Sequence, residues 1–178
     1  MAIPVNLVEH DPRWQAQAEG YMRLLDPLGD VIIAIHHIGS TAVPGLMSKP
    51  VIDLMPIVTS LTTFDSRRGD VEALGLGWHG EFGVDGRRFC TLNASDGLRL
   101  ANVHFYEAGS AHARRHLAFR DYLRAFPRVA AAYRRDKLRA GAIHPDDSVA
   151  YSGEKGAWIR ETEAKALIWY GDGGGDAC

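Results

Sequence analysis

The chain is poor in cysteine. Among its 178 residues only Cys90 and Cys178 carry thiols, so it has no disulfide framework, and no CxxC pair offers zinc a binding corner. That scarcity points to a reducing, cytoplasmic setting. Long apolar runs are missing too. They reach five residues, as in Val31 to Ile35, far short of the ~20 that a bilayer demands. The opening MAIPVNLVEH lacks the charged and apolar regions of a secretory signal. Neither charge sign is in excess. Twenty basic residues against 22 acidic ones leave −2, so no global field draws nucleic acid or lipid headgroups. With 46% apolar and 24% charged residues, the disordered and fibrous classes are excluded as well.

The remaining signals predict one α+β domain over residues 1–170, followed by a mobile Gly/Asp-rich tail at 171–178. Asp11-Pro12 reads as a helix start. Trp14, Ala18, Tyr21, Leu25 and Leu28 then recur at helical spacing up to Gly29. Val31–Ile38 and Val51–Val58 are β-branched apolar runs and read as buried strands. A short helix is expected between Asp65 and Leu74. Two further strands, Arg87–Leu92 and Leu98–Tyr106, flank the turn signal Asn93–Gly97. Beyond Gly109 the spacing is helical, broken at Pro127 and Gly141, with a last helix opening at Asp147-Ser148. A mixed sheet of four or five strands with a helical C-terminal part results. One local charge feature survives the neutral total: from His112 to Arg139, nine basic residues face two acidic ones. That is either a solvated helix face or a site for phosphate-bearing ligands.

The loop between the first two strands holds the candidate chemistry. Gly39 at the strand end lets another group approach the backbone, while Ser40 and Thr41 offer hydroxyls and amide donors. Lys49 adds a positive charge. Asp53 lies 13 residues beyond Ser40 inside an apolar strand, where a carboxylate is costly unless paired or bound to a cation.

A Gly-Ser turn followed by an acid on the next strand resembles the nucleotidyltransferase superfamily. The longer string Gly39 to Val58 (GSTAVPGLMSKPVIDLMPIV) resembles the GrpB family, the UPF0157 proteins. Gly80-Glu81-Phe82-Gly83 with Gly86-Arg87-Arg88-Phe89, Asn102-Val103-His104, and His116 to Arg124 extend that resemblance. So do the Y-x-x-x-K pairs Tyr133/Lys137 and Tyr151/Lys155. The resemblance implies a nucleotidyltransferase-like fold, a nucleotide or other phosphorylated small molecule as partner, and a divalent cation, Mg²⁺ or Mn²⁺. Some members of the family are joined to a coenzyme A biosynthetic kinase, which brings a coenzyme-A-linked ligand into consideration.

A metal pair needs two carboxylates on one strand face, yet the position that shares a face with Asp53 is Met55. Glu81 and His104 are the candidates to join Asp53 as catalytic groups or metal ligands. For phosphate the candidates are Gly39, Ser40, Thr41, Lys49, Arg87, Arg88, Arg120 and Lys137, because guanidinium and ammonium groups suit that anion. Two readings stay open: metal-dependent transfer of a nucleotidyl group to an acceptor, or a catalytically inactive binding module of the same fold. Cys90, among apolar neighbours, reads as a core residue. Neither membrane nor nucleic acid is an expected partner, and the oligomeric state is open.

Overall fold

The computed structural model describes residues 5–175, so Cys178 lies outside the described residues. Strands β1 (Ile32–Ile38), β2 (Ile52–Val58), β3 (Leu76–Trp78), β4 (Arg87–Asn93) and β5 (Arg99–Glu107) form one sheet in the order β1-β2-β5-β4-β3. Only β2 and β5 run parallel; the other neighbours are antiparallel. The helices are α1 (Arg13–Arg23), α2 (Leu61–Asp65), α3 (Arg68–Ala73), α4 (Ala111–Ala125), α5 (Pro127–Ile143), α6 (Ser148–Glu154) and α7 (Gly156–Trp169). No helix is long and apolar enough to cross a membrane.

Alternation along the strands gives the sheet two working faces. On one face Leu54, Val103, Phe105 and Cys90 pack against Trp14 and Ala18 of α1, Phe64 of α2 and Val71 of α3. Burial pushes the Cys90 thiol up to about 12, as befits a core residue. On the other face Ile38, Met55 and Tyr106 lie beneath Ala113 and Leu117 of α4. A third cluster ties Val43 and Leu46, in the β1–β2 loop, to Leu123 and Tyr133 of the helical part. That last cluster docks the candidate loop against α4 and α5.

The structure corrects several expected boundaries. The first helix stops at Arg23 rather than running to Leu28, because Pro27 has no N–H to donate and its ring would strike the carbonyl of Arg23. A 3₁₀ segment, Asp26–Val31, takes over. The expected helix before Leu74 is two helices separated by Ser66 and Arg67. The three-residue β3 was too short to show a period. Gly141 does not end its helix, which runs to Ile143; a Cβ there would meet Leu7 Cδ1 at 3.2 Å, so the glycine admits the N-terminal segment. The last helix is two helices meeting at Lys155, the first capped by the Asp147 carboxylate on the amides of Val149 and Ala150. Tyr170–Gly174 close the described chain as a π-helical turn.

Candidate functional site

Gly39 takes a φ of +71°, the left-handed region that favours glycine, and so turns the chain out of β1 into the short 3₁₀ turn Ser40–Ala42. Ile38 is paired with Asp53 across the β1–β2 ladder, which brings this turn over the Asp53 carboxylate. A Cβ on Gly39 would stand 2.5 Å from Asp53 Oδ2. The glycine is therefore required twice, by its dihedral and by the acid it covers.

Asp53 keeps 29% of its side chain exposed. Its Oδ1 accepts a hydrogen bond from Asn102 Nδ2 at 2.9 Å, and His104 Nε2 lies 3.6 Å from the same oxygen. Both partners come from β5, where Asp53 and Asn102 are paired in register. Asn102 is itself held by Arg99 Nη1 at 2.9 Å. Burial raises the Asp53 pKa, but His104, the Asn102 hydrogen bond and the Lys49 charge outweigh it. The net effect leaves the carboxyl below its usual value and ionised at neutral pH.

Opposite this carboxylate stand three lysines from separate elements. Lys49 precedes β2, Lys137 lies on α5 and Lys155 joins α6 to α7. Burial lowers the pKa of all three. For Lys137 burial, Lys155 and Lys49 bring it down to about 6 against the pull of Asp53. For Lys155 burial and Lys49 bring it down to about 8 against Asp136 and Asp53. For Lys49 burial wins over Asp53. Lys137, 2% exposed, donates to the Met47 carbonyl at 2.6 Å. Two tyrosine rings line the group. Tyr151 lies 3.9 Å from Lys155 Nζ and 5.7 Å from Lys49 Nζ, and Tyr133 lies 5.1 Å from Lys137 Nζ. The Tyr133 side chain also hydrogen-bonds Ser40, and its ring stacks on Trp158 at 4.8 Å. Tyr151 Oη is buried without a hydrogen-bond partner. Lys155 and Tyr151 had a signal in the sequence, the second Y-x-x-x-K pair, but a lysine between Glu154 and Gly156 could not be told from a solvated one.

Other candidates are held elsewhere. Glu81 Oε1 accepts from the Gly86 amide at 2.9 Å and faces Arg88 at 3.5 Å, so it clips its own loop rather than reaching Asp53. Arg88 forks onto Asp65 at 2.6 and 2.7 Å, on the sheet face away from His104. Arg87 holds the carbonyls of Glu81 (3.2 Å) and Phe82 (2.8 Å) and lies 3.5 Å from His104 Nδ1. Arg120 forks onto Asp121 at 2.7 and 3.0 Å and donates to the His37 carbonyl. The Thr41 hydroxyl is paired with His37 Nε2 at 2.9 Å; burial brings His37 down to about 4, so that ring is neutral. Met55 is fully buried under α4, where a second acid of a metal pair would be needed. Among the described residues no three His, Cys, Asp or Glu side chains are grouped to hold a metal ion. The donor set does not fit a protein-built metal pair.

A five-stranded mixed sheet with a glycine-serine turn over a single strand acid defines a nucleotidyltransferase-like fold. The Cid1 poly(U) polymerase, 12% identical, matches that fold at a TM-score of 0.52, over 76% of this chain and 44% of its own. The chain belongs to the GrpB family, whose profile, GrpB protein, matches residues 4–165. A solved GrpB from Enterococcus faecalis superposes with a TM-score of 0.86 at 35% identity, covering 93% of this chain and 99% of that one. The UPF0157 protein YqkA of Bacillus subtilis is 37% identical over 93% of this chain, and this chain spans 48% of YqkA. The UPF0157 protein SCO7215 of Streptomyces coelicolor is 34% identical over 93% of this chain and 86% of its own. A dephospho-CoA kinase of Mycolicibacterium paratuberculosis is 30% identical over 93% of this chain and 47% of its own.

Proposed function

We propose that this protein binds a phosphorylated small molecule, a nucleotide being the best match, at the lysine cluster between the β1–β2 loop and the C-terminal helices. The observation that carries this reading is the convergence of Lys49, Lys137 and Lys155 beside the Gly39–Ser40 turn. Burial is the main cause that lowers all three pKa values, and mutual repulsion adds to it at Lys137 and Lys155. A polyphosphate anion would relieve the repulsion, restore the missing protons and accept their hydrogen bonds. Gly39 and Ser40 would add amide and hydroxyl donors, and the Tyr151 hydroxyl is free to donate as well. A Mg²⁺ or Mn²⁺ ion would enter as the counter-ion of that polyphosphate, with Asp53 as its one protein carboxylate. The low cysteine content favours a cytoplasmic setting.

The test is isothermal titration with ATP, inorganic tripolyphosphate and coenzyme A. Binding of tripolyphosphate that falls at least about tenfold in the Lys155→Ala variant supports the reading. A parent protein blind to every phosphate in the panel rejects it. Nucleotidyl transfer is the second reading, and the exposed edge of Asp53 beside His104 favours it. Release of pyrophosphate from a nucleoside triphosphate, lost in Asp53→Asn, would establish it.

A further inference from the structure

The loop Gly80–Gly86 joins β3 to β4 and takes no part in the lysine site. Its sequence drew attention through Glu81, yet Glu81 serves to close the loop. What the loop displays is Phe82. This residue has φ +48°, and among the described residues it is the one non-glycine with positive φ. A bulky aromatic is a poor choice for that region, where glycine or asparagine meets less strain. Core packing does not explain it either, because Phe82 is 67% exposed.

The surrounding contacts fix the ring in place. Arg87 binds the carbonyls of Glu81 and Phe82, and Glu81 binds the Gly86 amide. The Phe82 ring stacks on Phe89 with centroids 5.2 Å apart and planes 26° apart, and His79 flanks both rings at 5.8 and 5.6 Å. Phe89 continues to His104 at 5.1 Å, its register partner across the β4–β5 ladder. His104 in turn faces Asp53 at 3.6 Å. Phe82 is thus the exposed end of an aromatic row whose inner end is the candidate carboxylate.

We propose that the open face of Phe82, the one turned away from Phe89, binds a planar heteroaromatic ring of purine size. Aromatic stacking is tolerant of ring identity and gains from a platform already fixed in the free protein, since little order is lost on binding. The strained backbone has its explanation in this display, because a relaxed turn would release the ring from Phe89. The inference stands apart from the phosphate reading, which rests on Lys49 before β2, Lys137 on α5 and Lys155 at the α6–α7 junction.

The test titrates ¹⁵N-labelled protein with adenosine, which carries the ring and no phosphate, and with ribose as the ring-free control. The expected result is movement of the Phe82, Gly83 and Phe89 amide signals with adenosine and none with ribose. Phe82→Ala should weaken adenosine by about tenfold or more, and Phe82→Trp should retain it. Adenosine that leaves these amides still, or that binds Phe82→Ala as it binds the parent, overturns the proposal. Because adenosine lacks phosphate, failure of the tripolyphosphate titration leaves this result readable by itself.

Discussion

Gly39 and Asp53 occupy overlapping space: a methyl group on residue 39 would lie 2.5 Å from Asp53 Oδ2 and 3.1 Å from its Cβ. The contact couples the turn to the acid before any ligand arrives. Gly39→Ala should therefore destabilise the fold through two additive causes, the positive φ and the clash. The first alone costs about 1–3 kcal/mol. Urea unfolding of Gly39→Ala, Asp53→Ala and the double variant checks this. Removing the Asp53 carboxylate should recover part of the alanine cost, because the 2.5 Å contact goes while the dihedral penalty and the 3.1 Å approach to Cβ remain.

Lys137 predicts a pH dependence of opposite sign to that of a paired surface lysine. Burial and its lysine neighbours hold it at about 6 in the folded state, well below the ordinary value of 10.5. Between these limits the unfolded chain binds the extra proton, so stability rises with pH. Lys155, down to about 8, adds the same sign over the upper part of the window. Urea midpoints should climb from pH 7 to pH 9.5 and do so less steeply in Lys137→Met. A single group contributes at most about 1.4 kcal/mol per pH unit. A slope that the variant leaves unchanged would place the titrating group elsewhere.

The same lysines show where sequence reading ran out. The sheet was legible because Ile, Val and Leu runs at residues 32–38 and 52–58 have one interpretation, and the Gly39–Ser40 turn with Asp53 was legible because small and charged residues interrupt those runs. Partners across long sequence separations were not. Arg88 sits in a motif as basic as any, yet Asp65, 23 residues away, occupies it. Lys155 has the opposite history. It lies at a helix junction that periodicity ran straight through, and only the fold brings it to Lys49.

Arg120 should act on stability rather than on ligand affinity. Its guanidinium and the Asp121 carboxylate keep only 11% and 9% of their side chains exposed, and it also donates to the His37 carbonyl at 3.2 Å. Removing Arg120 leaves Asp121 with Arg124 alone, at 3.7 Å, so the cost falls below the ~3–5 kcal/mol of a fully stranded buried charge. Arg120→Ala should lower the urea midpoint strongly, and Arg120→Met with Asp121→Leu should restore much of it. Tripolyphosphate affinity, measured at a temperature where each variant is folded, should stay near that of the parent. A selective loss of affinity with an unchanged midpoint would instead put Arg120 in the ligand site.

Met55 decides whether the missing second acid can be restored. It shares a sheet face with Asp53, but α4 lies over it, and Ile38, Tyr106, Ala113 and Leu117 enclose its side chain. An aspartate at this position would enter a pocket walled by these apolar groups, opposite His36 across the β1–β2 ladder, whose charged form burial and Arg120 disfavour, instead of completing a metal pair. Such a group either stays charged at several kcal/mol or takes up a proton and ceases to be a ligand. Met55→Asp should unfold at markedly lower urea than the parent and gain no Mn²⁺ affinity by titration calorimetry. Met55→Leu, a volume-conserving exchange, should cost less than about 1.5 kcal/mol. If Met55→Asp proved as stable as Met55→Leu and bound Mn²⁺, then α4 would be free to lift from the sheet, and the site would extend beneath it to position 55.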